Sequence, residues 1–150
     1  MSLNNTKFGD YVDFIYPEEL EIKDTTDSSV SASYLDILLG IDQDQHLITK
    51  IYDKRDDFDF SIVNFPFLSS NRAESPAYGV YISQLIRYSR ACSSYHDFLV
   101  RGNLLTSKLL RQGYQSLKLK IAFKKFYGRH HELTEKYNMS VSQIITDLSL

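Results

Sequence analysis

The hydrophobic period of this chain changes once, near Pro76, and that switch limits the folds open to it. Upstream, apolar residues alternate or run in short blocks. Leu20 and Ile22 interleave with Glu21 and Lys23, and the runs Tyr34 to Ile41 and Leu47 to Tyr52 flank the polar tetrad Asp42-Gln43-Asp44-Gln45. Two β-rich runs joined by a short polar turn predict an antiparallel hairpin. From Ala77 the spacing becomes helical: Tyr78, Ile82, Leu85 and Cys92 share one face, while Ser83, Arg87 and Arg90 share another.

The helical pattern continues downstream. Phe98, Leu105 and Leu109 form the apolar stripe of a second helix, with Arg101, Lys108 and Arg111 on its polar stripe. Gln112-Gly113 supplies a C-cap, since glycine takes the left-handed conformation without steric cost. Leu119, Phe123 and Phe126 mark a third helix, ringed by Lys118, Lys120, Lys124 and Lys125. Leu117 to Ile121 also alternates as a strand would, but length and the following Phe-Lys-Lys-Phe favour helix. Ser140 to Gln143 has capping-box spacing ahead of Ile144, Ile145 and Leu148, a last short helix. At the other end, Phe8, Tyr11, Val12 and Ile15 predict a helix over about residues 4–16, stopped by Pro17. Residues 53–76 hold no period, and Phe58, Phe60, Phe65 and Phe67 are expected to anchor an irregular connection. The expectation is α+β: residues 1–75 as a helix plus a small antiparallel sheet, residues 76–150 as an all-helical segment.

Composition removes several classes. With 150 residues and 43% hydrophobic side chains, one modest core is within reach. No apolar run has membrane-spanning length. Met1 to Asn5 lacks the basic and apolar regions of a secretory signal, and the single cysteine, Cys92, has no internal disulfide partner. An intracellular chain, nuclear or cytoplasmic and not secreted, is expected, with no membrane association.

Charge is divided unevenly. Residues 1–75 hold six Lys/Arg against fifteen Asp/Glu, a balance of -9, and residues 76–150 hold eleven against four, a balance of +7. From Gln84 to His131 ten basic residues face one acid, Asp97. Such asymmetry fits a polyanion partner for the basic half, and equally fits two halves that neutralise each other within one fold.

Candidate chemistry is sparse. There is no phosphate-binding glycine loop and no recognisable nucleophile motif. Asp42-Gln43-Asp44 lacks the glycine and closing glutamate of a calcium loop and reads as a solvated turn. Asp53, Asp56, Asp57 and Asp59 read as turn-capping carboxylates ahead of a magnesium site. His130 and His131 diverge on a helix, and His46 and His96 have no ligand-spaced partner. Cys92 reads as a small buried hydrophobe. No catalytic residue, metal ligand, cofactor or small-molecule substrate is assigned. The informative feature is the basic helices, where arginines and lysines on successive turns can meet phosphate oxygens. Tyr88, Tyr95, Tyr114 and Tyr127 interleave with them, either as stacking platforms or as core residues with a wet hydroxyl.

Six pieces in order carry a resemblance. They are Leu20-Glu21-Ile22; Tyr34-Leu35-Asp36; Ile51 to Asp57; Arg87-Tyr88-Ser89-Arg90-Ala91-Cys92-Ser93 after Ile82-Ser83-Gln84; Asp97-Phe98; and Leu110-Arg111-Gln112-Gly113-Tyr114. Together they span nearly the whole chain, which resembles the segment after the catalytic motif in reverse transcriptases of Penelope-like and related invertebrate retroelements. Arg55 stands where that family usually has proline, and Phe65-Pro66 stands where it has His-Pro. The resemblance implies a palm end, with residues 33–53 at the primer-grip position, followed by a helical thumb. It also implies that the family's Tyr-x-Asp-Asp motif would precede Ser2, and no GIY-YIG endonuclease segment is found. These residues alone are therefore expected to be inactive as an RNA-directed DNA polymerase, and Mg²⁺ belongs to the complete parent enzyme only. The role expected of them is a sequence-independent grip on a nucleic-acid duplex through its backbone. Its carriers would be Lys54, Arg87, Arg90, Arg101, Lys108, Arg111, Lys118, Lys120, Lys124, Lys125 and Arg129. The alternatives are a domesticated non-enzymatic binding module and an inactive remnant.

Overall fold

The computed structural model describes residues 28–58, 65–70 and 74–150; the helix expected over 4–16 and the strand expected at Leu20 to Lys23 lie outside them. Three strands, β1 (Ser31–Tyr34), β2 (Ile37–Ile41) and β3 (Leu47–Ile51), form an antiparallel meander in the order β1-β2-β3. Five helices follow: α1 (Glu74–Ala91), α2 (Tyr95–Arg111), α3 (Ser116–Tyr127), α4 (Glu132–Tyr137) and α5 (Val141–Asp147). The fold is α+β, as the change of period predicts. Among the described residues no helix is long and apolar enough to cross a membrane.

The expected hairpin is present but its first arm is shorter. Ile41 pairs with Leu47 and Ile37 with Ile51. Tyr34, expected in the same arm, belongs to β1 and pairs with Ile37 across a two-residue turn at Leu35 and Asp36. Leu35 takes φ 56°, a left-handed conformation that a branched side chain adopts only at a cost. The turn carries no Gly or Asn, so an apolar run conceals it. The second turn uses its polar residues as expected: the Asp42 carboxylate accepts the backbone N–H groups of Asp44 and His46 at 2.9 and 2.8 Å.

Helix boundaries follow local chemistry. α1 starts at Glu74, ahead of the expected Ala77, because Pro76 sits in the first turn, where its missing N–H has no helical partner to lose. Ser94 caps α2 by accepting the Asp97 N–H, and Ser140 caps α5 by accepting that of Gln143. The Gln143 side chain turns forward to Asp147 at 2.8 Å, so the capping box is only half made. Gly113 closes α2 at φ +90°. α4 has no counterpart among the expected elements; it is a single short helix whose Tyr137 supplies the apolar contact.

The core lies among the helices. Tyr81 and Leu85 of α1, Cys92 just after it, Phe98 and Leu109 of α2, and Leu119 and Phe123 of α3 are fully buried, joined by Ile144 of α5 and by Leu148 at its C-cap. Leu148 approaches α2 so closely that a Cβ at Gly102 would lie 2.5 Å from its Cδ2. Two buried hydroxyls are paired: Thr106 donates to the Gly102 carbonyl at 2.8 Å, and its hydroxyl meets that of Tyr81 at 3.2 Å. Burial pushes the Tyr81 phenol up to about 12. From the sheet, Ile51 joins this same core at 4% exposure.

Gly102→Ala sets a helix-propensity gain of about 1 kcal/mol against overpacking of about 1–3 kcal/mol. Leu148 has no exposed surface to retreat towards. The variant is therefore expected to melt lower than the parent, with Leu148→Ala in the same chain recovering part of the Gly102→Ala effect, as thermal unfolding would show.

Candidate nucleic-acid interface

The eleven basic residues expected to contact phosphate separate into two groups. The first is engaged in holding the fold. Arg87 on α1 grips Asp36 at the β1–β2 turn, with Nε and Nη2 donating to one carboxylate oxygen at 2.9 and 2.6 Å. Arg101 on α2 donates through Nη1 to Asp56 and through Nη2 to the Ile51 carbonyl at 3.1 Å. These two arginines thus take partners from the acidic half of the chain, the second of the two arrangements that the charge balance allowed.

The second group comprises the remaining nine. Arg90, Arg111, Lys124, Lys125 and Arg129 are exposed, Lys108 and Lys120 are partly so, and none forms an ion pair with a described residue. Lys118 places its ammonium 6.0 Å above the Tyr78 ring. Lys54 is exposed in a short 3-10 helix, Lys54–Asp57, beside the sheet. Helix α3 carries four of these nine, Lys118, Lys120, Lys124 and Lys125. Lys120 and Lys124 stand one turn apart on it, as do Lys125 and the following Arg129.

The interleaved tyrosines belong to the core. Tyr88, Tyr114 and Tyr127 are 9%, 3% and 3% exposed, too little to stack on a base. Tyr95 donates to the Asp147 carboxylate at 2.7 Å and packs on Tyr137, with centroids 5.4 Å apart. Their helical spacing serves packing, since burying an aromatic ring contributes more than displaying one.

The acidic residues are committed as well. Asp53 caps the 3-10 helix and receives the Arg55 guanidinium at 2.7 and 2.6 Å, which holds its carboxyl below the usual range. Asp57 accepts the Tyr52 hydroxyl at 2.9 Å. At the β2–β3 turn, ligand atoms of Asp42, Asp44 and His46 come within 4.8 Å of one another, so His46 has neighbours that its spacing did not suggest. The turn itself explains the cluster, because closing it brings positions i, i+2 and i+4 together. Cys92 is fully buried, and burial pushes its thiol up, as fits a packing role.

One feature had no sequence signal beyond a glycine. α1 and α3 diverge around a groove of about 460 Å³. Ile82, Ile86, Ala122 and Phe126 provide its apolar lining, and Lys125, Arg129 and His130 stand at one side. His130 stacks on Phe126 with ring centroids 4.7 Å apart. Gly79 lines the groove, and no described atom lies within 4 Å of where its Cβ would be.

Arg87→Gln is expected to cost under about 1 kcal/mol, because both members of its pair are roughly half exposed. Arg101→Gln should cost about 1–3 kcal/mol, since it also leaves the Ile51 carbonyl without its charged donor. Thermal melts check both, and neither change should alter nucleic-acid affinity while the chain stays folded. A pH series tests Asp53. Its folded pKa lies below the unfolded value, so its contribution is complete above about pH 4 and fades as pH falls through the folded value. Asp53→Asn should flatten that acid limb of stability. Compared with sequence models of known families, with curated proteins and with solved structures, the chain matches none of them.

Proposed function

We propose that this chain grips a nucleic-acid duplex through its phosphates, as the palm-end and thumb-like part of a reverse-transcriptase-like protein of retroelement type. The observation that carries the proposal is the cationic surface left over once the fold's own pairs are made. Arg87 and Arg101 are spent on Asp36 and Asp56, yet Arg90, Lys108, Arg111, Lys120, Lys124, Lys125 and Arg129 remain without an acidic partner among the described residues. Among the described residues, only Arg55, Arg87 and Arg101 of the chain's arginines and lysines form ion pairs with that half.

The six ordered motifs support the same reading. Arg87 and Cys92, both within the longest motif, tie α1 to the sheet and fill the core, and Gly113 of the last motif terminates α2. The motifs therefore supply much of the scaffold, and Lys108 with the lysines that follow the last motif supplies much of the charge. Such a surface offers long, flexible cations and no array of side chains suited to base edges, which fits backbone contact with little sequence preference.

The test is a salt titration of binding to short labelled duplexes of unrelated sequence. Affinity should fall steeply with salt and vary little with sequence. Arg111→Gln, Lys120→Gln and Lys124→Gln together should weaken binding to every sequence and reduce the log–log salt slope by roughly 0.9 for each phosphate no longer neutralised. The melting temperature should hold, because none of the three pairs with a described acid. An unchanged slope in the folded triple variant would remove these residues from the interface, and absence of binding at low salt would overturn the proposal.

A further inference from the structure

We infer that the groove between α1 and α3 takes an unpaired nucleotide, so that the preferred ligand is a duplex continued by a single-stranded extension. The inference rests on the phosphate-gripping reading and adds a place where one strand leaves the duplex. The groove's volume of about 460 Å³ is that of a small-molecule site. Its lining residues run from Tyr78 to Ile86 along α1, roughly 12 Å, and face Ala122, Lys125 and Phe126 of α3 with Arg129 and His130 just after it, room for a single nucleotide and short for a docked protein helix.

Chemistry divides along the groove. Ile82, Ile86 and Ala122 present half-buried apolar surface suited to the flat face of a base. At the side, Lys125 and Arg129 are exposed and form no ion pair with a described residue, placed for phosphates, and Lys118 adds positive charge over Tyr78 at the α1 wall. No described carboxylate lines the groove. An apolar floor with cationic edges is the arrangement that holds single strands, whose bases are free to leave the stack, whereas paired bases are not.

Gly79 is the second observation. Inside α1 it costs about 1 kcal/mol relative to alanine, and neither a positive φ nor a close neighbour among the described residues requires it. Its missing side chain leaves the groove wall low. A larger residue there projects into open space, so it would block the groove without disturbing the core.

The experiment measures anisotropy of a labelled blunt duplex and of the same duplex with a single-stranded extension. It uses the full chain and Gly79→Leu at low salt, with melts of both proteins. The extension should raise affinity roughly tenfold in the parent chain, within the range that one base contact supplies. Gly79→Leu should abolish that gain, bind blunt duplex unchanged and melt no lower. A gain that persists in Gly79→Leu overturns the inference. So does blunt-duplex binding with no gain in the parent, which leaves the phosphate grip standing. Extended-strand binding that Gly79→Leu abolishes, with no blunt-duplex binding, upholds the groove and overturns the duplex grip. An amphipathic Glu/Leu peptide serves as a further probe: if Gly79→Leu blocks it while the extension gives no gain, the occupant is a protein helix and the nucleotide assignment falls.

Discussion

Arg101 is where the two halves of the chain are joined. Its guanidinium leaves α2, donates to the Ile51 carbonyl at the end of β3 and reaches Asp56 in the segment that follows. Ile51 can then enter the helical core, and burying that side chain contributes about 1.5–3 kcal/mol. The neighbouring edge of β3 is held by Ser93, between α1 and α2. Its N–H donates to the Thr49 carbonyl at 2.8 Å, and its hydroxyl receives the Thr49 N–H at 3.1 Å. A strand edge that would otherwise offer unpaired groups is thereby closed by the helices. Arg87 repeats the device at the same end of the sheet, where the strained turn at Leu35 presents Asp36 to it and the Tyr52 N–H donates to the Asp36 carbonyl at 2.9 Å.

This junction alters what the charge asymmetry means. A balance of -9 against +7 invites a choice between an external polyanion and internal neutralisation, and the structure pairs Arg87 and Arg101 with the acidic half while Arg90, Lys108 and Arg111 have no acidic partner among the described residues. Arginine takes the internal positions, where its planar fork meets a carboxylate and a carbonyl at once. Lys120, Lys124 and Lys125 on α3, which form no ion pair with a described residue, carry compact, strongly hydrated charges on flexible stems. Two residues on similar polar stripes, Arg101 and Lys108, thus have different duties, and only the first is bound to the acidic half.

The helical half was largely legible. The stripes of Leu85 and Cys92, of Phe98, Leu105 and Leu109, and of Leu119, Phe123 and Phe126 are the buried faces that their spacing indicates. Ser140 and Gly113 mark helix ends as their local chemistry requires. Legibility fails where the determinant is remote or unmarked. The β1–β2 turn uses Leu35 and Asp36 without a glycine, so an apolar run conceals it. The interleaved tyrosines are ambiguous in sequence because a ring suits a core and a stacking surface equally; only their neighbours settle that they are core.

By itself, the sequence determined the α+β class, the faces of the three long helices and the concentration of positive charge on them. Those are properties of residue types at fixed local spacing, and local spacing is written along the chain. Only the tertiary structure decided that Arg87 and Arg101 find partners 51 and 45 residues away, and that α1 and α3 part beside Gly79 to leave a groove. Each depends on how separate helices and strands approach one another, and no local period encodes that approach. It is set by the packing of Ile51, Leu148 and their neighbours, which brings distant residues within reach of a hydrogen bond.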